Sequence, residues 1–128
     1  MITHKLIDNI LHITFEDEIT FEQLEELSRN FSEQRIKGDI LLLIYDLRKA
    51  ILDFSVKDYK KISDMAQNST KAYRMVKAAF VVTAPRMTAM LTIYSQLSWT
   101  SHTQRKVFST TDAALSWLKM FNKHLSES

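Results

Sequence analysis

Residues 40–55 read ILLLIYDLRKAILDFS. The run from Ile40 to Tyr45 is apolar at both parities, so a strand there has side chains to cover on both faces. That is the mark of a central strand, and it sets the fold class. Asp46 closes this strand at its C-terminal end, and Arg48 follows in the loop. Ser55 then stands three residues before Asp58, at the start of a helix predicted near 56–69.

The same pattern recurs downstream. AAFVV (Ala78 to Val82) reads as a second covered strand and KVF (Lys106 to Phe108) as a shorter third. Helices are predicted near 86–100 and 111–125, with Pro85 suited to a first helical turn. Upstream, Ile2–Asp8 and Ile10–Glu16 alternate as strands around Asp8-Asn9, two residues that tolerate the positive φ of a two-residue hairpin. In that register Ile2 faces Phe15, His4 faces Ile13 and Leu6 faces Leu11, and this is the core side. Thr20 and Gln23 form a capping-box pattern ahead of Phe21, Leu24, Leu27 and Phe31 at helical spacing. Gly38, the only glycine, follows that helix where a left-handed residue would end it. Strand–helix alternation after a hairpin predicts an α/β fold, a mainly parallel, mixed five-stranded sheet with about four helices.

With 128 residues, 45% of them apolar and 25% charged, the chain suits one globular domain, residues 1–128. It has no cysteine, which removes disulfide scaffolds, thiol nucleophiles and thiolate zinc sites and fits a reducing cytoplasm. The first residues lack a basic stretch and apolar core of the export type. The uncharged stretch Met87 to Ser101 is too polar to cross a bilayer. Residues 1–56 hold 6 Lys/Arg against 11 Asp/Glu, a balance of −5, and residues 57–128 hold 11 against 4, a balance of +7. Such a split gives a lopsided field only if the halves stay apart in space.

Most chemistry is excluded by composition and spacing. One glycine cannot build a P-loop or a dinucleotide-binding turn. His4 and His12 point to opposite faces of the hairpin, since His12 lies across from Lys5, and no HExxH spacing exists, so no metal site is expected. No GxSxG elbow or spaced Ser-His-Asp set is present, so no enzyme and no cofactor are expected. Basic residues occur, but no aromatic-interleaved or groove-reading motif supports nucleic-acid binding.

Binding residues are therefore sought on surfaces. Asp46 and Arg48 stand beyond the carboxyl end of a strand, where open α/β sheets take ligands. A structural pair bracing the loop explains them slightly better. Met87, Met90, Leu91, Tyr94 and Leu97 form one stripe of the helix from Pro85, followed by Trp99. Methionine-rich faces adapt to variable partners, although such stripes are also ordinary core. The preceding helix carries Lys57, Lys60, Lys61, Lys71, Arg74 and Lys77 on or near it, which would suit an anionic membrane surface. In the last helix, Leu118, Phe121 and Leu125 form one stripe and Ala113, Trp117 and Met120 another. Two apolar faces need two covers, and the second could be a neighbouring helix of the same chain or a symmetry mate, with Trp and Met favouring a homodimer. Ser55 is expected to accept a hydrogen bond from a first-turn N–H, and aspartate to serve there equally. Phosphorylation at Ser55 is the alternative, with Arg48 or Lys57 as partners for the phosphate.

Three segments together, MITHKLIDNILHITF (1–15), LLIYDLRKAILDFS (42–55) and RKVFSTTDAALSWL (105–118), resemble the SpoIIAA-like branch of the STAS superfamily (sulfate-transporter and anti-sigma-factor-antagonist domains). The resemblance spans nearly the whole chain and rests on motif order and spacing. It implies a hairpin start, βα units and a CRAL-TRIO-like relationship to lipid carriers. Anti-sigma antagonists are phosphorylated on a serine in an Asp-Ser-Ser-Gly element at this helix start. Asp53 and Ser55 match that element, whereas Phe54 and Val56 replace the other serine and the glycine. The leading expectation is a non-enzymatic cytoplasmic module that binds a lipid-like small molecule between the Met-rich helix and the sheet, with peripheral membrane contact. A protein-interaction module of the antagonist type is the alternative.

Overall fold

Asp8 and Asn9 take positive φ values of 51° and 62°, closing a two-residue hairpin between β1 (Ile2–Ile7) and β2 (Ile10–Ile19). Pairs Ile2–Phe15, His4–Ile13 and Leu6–Leu11 form in the register expected from the alternation. The computed structural model describes residues 1–31, 36 and 38–122. After the hairpin come α1 (Phe21–Asn30), β3 (Ile40–Leu52), α2 (Val56–Thr70), β4 (Met75–Val81), α3 (Pro85–Leu97), β5 (Thr103–Phe108) and α4 (Thr111–Lys119). The sheet runs β1-β2-β3-β4-β5, antiparallel between β1 and β2 and parallel elsewhere. The fold class is the α/β one expected, five strands with four helices among the described residues.

The strand spanning Ile40 to Tyr45 is central, and its two parities feed two cores. Leu41 and Leu43 join Leu11, Ile13, Phe15, Val76, Ala78 and Phe80 under α1, α2 and α3. Leu42 and Ile44 join Ile10, Ala79 and Val81 under α4 alone. Among the described residues, three helices thus cover one face and a single helix the other. The Asn122 side chain donates to the Asp8 carbonyl at 2.6 Å, tying the hairpin turn to the chain just after α4.

Several boundaries differ from expectation for identifiable reasons. β3 does not end at Asp46 but continues to Leu52, because the pairing skips from Thr14–Asp46 to Glu16–Lys49. An extra residue on β3 at this point is a β-bulge. It reverses parity: Leu43 and Leu47 face the three-helix layer before it, Ala50 and Leu52 after it. Gly38 is left-handed (φ 87°) but lies just ahead of β3, whereas α1 ends at Phe31 in ordinary helical geometry. β5 begins at Thr103, three residues earlier than apolarity suggested, since an edge strand admits polar residues. α4 ends at Lys119, and Leu125 lies outside the described residues. His4 and Leu6, expected on the core side, stay exposed, because β1 is an edge strand and only Ile2 reaches the core.

Trp117 belongs to the chain's own core. It is 8% exposed, with its ring 5.7 Å from Phe108 and 5.6 Å from Phe121. Its supposed stripe-mates Ala113 and Met120 are exposed, Met120 at 75%. The stripe that argued for a second cover does not exist as one face.

Candidate ligand cavity

Between the sheet and the three-helix layer lies a cavity of about 120 Å³. β3 contributes Leu43 and Tyr45, β4 Ala78 and Phe80, and α2 Tyr59 and Ala66. From α3 come Met90, Leu91 and Tyr94, three of the five residues in the expected stripe. Met87 packs against the same core without lining the space, and Leu97 leaves it altogether, 63% exposed at the end of α3. A straight helix cannot keep a stripe that runs from Met87 to Leu97 against a twisted sheet, so its last turn diverges.

The lining is aromatic. Tyr45 stacks on Phe80 with centroids 5.3 Å apart, and Tyr94 meets both Phe80 (6.3 Å) and Tyr59 (5.6 Å) edge-on. Burial pushes the Tyr45 phenol well above its ordinary range, and Tyr94 beside it adds to the shift. Burial also raises Tyr94, offset in part by Arg105 and by the hydroxyls of Ser98 and Ser63. Both phenols are therefore neutral at physiological pH. Among the described residues, Arg105 is the charged member of the wall. It shares parity with Thr103 and Val107, the other inward residues of β5. Sequence reading began this strand at Lys106 and missed it. The parity of Val107, carried back two residues, was the signal available.

Asp46 and Arg48 do not join this cavity. Asp46 pairs in register with Thr14 and Val81, on the face covered by α4. The Arg48 Nε and Nη2 donate to its two carboxylate oxygens at 2.9 and 2.8 Å. This fork-to-fork contact holds the Asp46 carboxyl below the usual carboxylate range. The pair braces the bulge of β3. A second reason removes it from a ligand crevice: the strands run in sequential order, without the reversal that opens a cleft at the carboxyl edge of doubly wound sheets.

The basic and apolar surface residues are also dispersed. α2 and α3 both return from the carboxyl edge of parallel strands, so they run the same way. Lys57, Lys60 and Lys61 lie in the first turns of α2, whereas Trp99, 74% exposed, follows the far end of α3. The length of a helix, about 20 Å, separates them. Lys60 pairs with Asp64 at 2.8 Å, and Lys61 lies 4.1 Å over the Phe21 ring. Lys77 is on neither helix. It is buried in β4, donating to Gln104 at 2.5 Å and lying 4.4 Å over the Phe121 ring.

Ser55 is exposed at the N-cap of α2. Its N–H and its hydroxyl both donate to one oxygen of Asp58, at 2.9 and 3.0 Å. Ser55 and Asp58 thus form a reciprocal capping box, with the Ser55 side chain facing the Asp58 N–H as expected and its hydroxyl also donating to the Asp58 carboxylate. No group of three or more potential metal-ligating side chains occurs among the described residues. No described helix is long and apolar enough to cross a membrane.

A hairpin, sequential parallel βα units and this layering define a STAS-type α/β domain. A SpoIIAA-like family model matches residues 10–119, and the chain belongs to the SpoIIAA-like family. Solved structures agree on the fold. An uncharacterized protein from Shewanella loihica with a SpoIIAA-like fold superposes with a TM-score of 0.62 at 15% identity, covering 92% of each chain. The Bacillus cell-fate determinant SpoIIAA in its phosphorylated form superposes with a TM-score of 0.55 at 10% identity, covering 91% of this chain and 98% of that one. Comparison with curated proteins finds no match.

Proposed function

We propose that this SpoIIAA-like domain is a non-enzymatic binding module that takes a small apolar or amphiphilic molecule between α3 and the sheet. The observation that carries this reading is the apolar cavity under Met90, Leu91 and Tyr94. Its volume bounds the ligand. Pockets for drug-sized molecules span roughly 300–1,000 Å³, whereas a cavity of about 150 Å³ accepts benzene. At about 120 Å³ the space suits a group of that size, or the tip of a longer amphiphile. A whole lipid would have to part the helices.

The test uses 1-hexanol as a neutral probe. Amide shifts in the wild-type protein should cluster at residues lining the cavity and saturate with concentration. In Ala66→Leu, whose added carbons enter the same space from α2, they should be lost while the fold is kept. Scattered, non-saturating shifts in the wild type would end the proposal.

A regulatory reading is favoured by one observation, the exposed Ser55 hydroxyl at the start of α2, in a fold shared with a phosphorylated relative. Intact-mass and peptide analysis of protein isolated from its own host tests it. Phosphate on Ser55 supports a switch, and unmodified Ser55 under all growth conditions removes it.

A further inference from the structure

We infer that the ligand of this cavity is a monocarboxylate with an apolar tail, and that Arg105 is its anchor. This deepens the binding-module reading and rests on it. Arg105 lines the cavity from β5. Its Nη1 donates to the Ser98 carbonyl at 2.9 Å, at the C-terminal cap of α3, and its Cζ lies 5.2 Å from the Tyr94 ring centroid. The guanidinium is thus fixed in position before any ligand arrives.

Its charge, however, has no full counterpart. The described residues form ion pairs Arg48–Asp46, Lys60–Asp64, Arg74–Asp39 and Arg86–Asp53, and none involves Arg105. The C-terminal dipole of α3 supplies about half an opposite charge. The Ser98 carbonyl takes one of the five guanidinium donors, and the Tyr94 ring lies against the group. Tying down the end of a helix needs one donor, which lysine or glutamine could provide. Arg105 is part-buried, and its remaining donors at the edge of an apolar, aromatic space are ones an anion there would complete.

The remaining chemistry selects the anion. Tyr45 and Tyr94 stay protonated, so among the described residues the wall offers a cation and phenol groups and no competing carboxylate. The planar fork of arginine matches the two oxygens of a carboxylate. The apolar volume then takes a tail about as large as a benzene ring. An acyl-chain end and a small aromatic acid share this chemistry.

Calorimetric titration of the full chain with hexanoate, 1-hexanol and hexylamine at neutral pH tests the assignment. Hexanoate should bind at least about tenfold more tightly than hexanol, the scale of a charge-assisted hydrogen bond, and hexylamine should not bind. Arg105→Gln should abolish the preference, so that hexanoate and hexanol bind that variant alike, and Arg105→Lys should keep part of the preference. If Arg105→Gln fails to give a cooperative thermal transition, the wild-type ratio and Arg105→Lys decide. Equal binding of hexanoate and hexanol overturns the anchor and leaves the apolar cavity standing. Binding of neither overturns both readings. Given the hexanoate preference, decanoate or benzoate as the tighter ligand names the source as acyl chain or aromatic acid.

Discussion

The Asp58 carboxylate accepts both the backbone N–H and the hydroxyl of Ser55, at 2.9 and 3.0 Å. These bonds hold the Asp58 carboxyl below the ordinary carboxylate range, with the backbone bond the larger cause. Ser55→Ala leaves the N–H bond in place, so its cost should fall at or below the roughly 1 kcal/mol typical of a cap. Ser55→Asp, which sequence alone rates as an equal cap, sets one carboxylate against another and should lower the denaturation midpoint further than alanine does. The same repulsion acts on a phosphate at Ser55. A Ser55→Asp variant as stable as the wild type would refute this account.

The Asp46–Arg48 pair is a brace, and half-exposed pairs of this kind contribute up to about 1 kcal/mol. Because Arg48 lowers the folded pKa of Asp46, the contribution is complete above the ordinary value of 3.8 and is lost as pH falls through the folded one. Urea midpoints of wild type and Asp46→Asn should differ near neutrality and converge in acid. Hexanol binding should be the same in both. A loss of binding in Asp46→Asn would place the ligand on the wrong face of the sheet in this account.

Trp117 fills the space between α4 and β5. Replacing a buried aromatic by a small residue typically costs about 3–5 kcal/mol, and a buried carboxylate adds to that. Trp117→Glu should therefore abolish the cooperative thermal transition, while Trp117→Phe keeps it. Light scattering that shows a folded Trp117→Glu chain of halved mass would return this residue to a subunit interface.

His12 lies half-buried on β2 opposite Lys5. Burial and then Lys5 lower its pKa, against a smaller opposing effect of Asp8. With the folded value below 6.5, the unfolded chain binds the proton more readily. Stability is thus complete above pH 6.5 and declines as pH drops below it. The melting temperature should fall between about pH 7.5 and 5.5, and His12→Gln should flatten that dependence.

Local rules made much of this fold legible. The turn residues and the alternation fixed the hairpin register down to single pairs. Apolarity at both parities marked the central strand, and capping residues marked the starts of α1 and α2. These features depend on neighbours within a few residues, and such neighbours are present in any stretch of sequence.

Other features were decided only when distant segments met. The bulge in β3 arises from its pairing with β2, and it carried the strand through the Asp46–Arg48 pair to Leu52, where a loop was expected. The shared direction of α2 and α3 set Lys57 and Trp99 at opposite edges. Arg105 became a cavity residue because β5 pairs with β4 from Thr103 onward, in a segment whose own polarity hides the strand. Periodicity tells which side chains share a face, but a sequence does not say what that face meets. For Trp117 it meets Phe108 of the same chain, and for Arg105 an apolar space. Both outcomes follow from contacts whose partners are set by the packing of the whole domain.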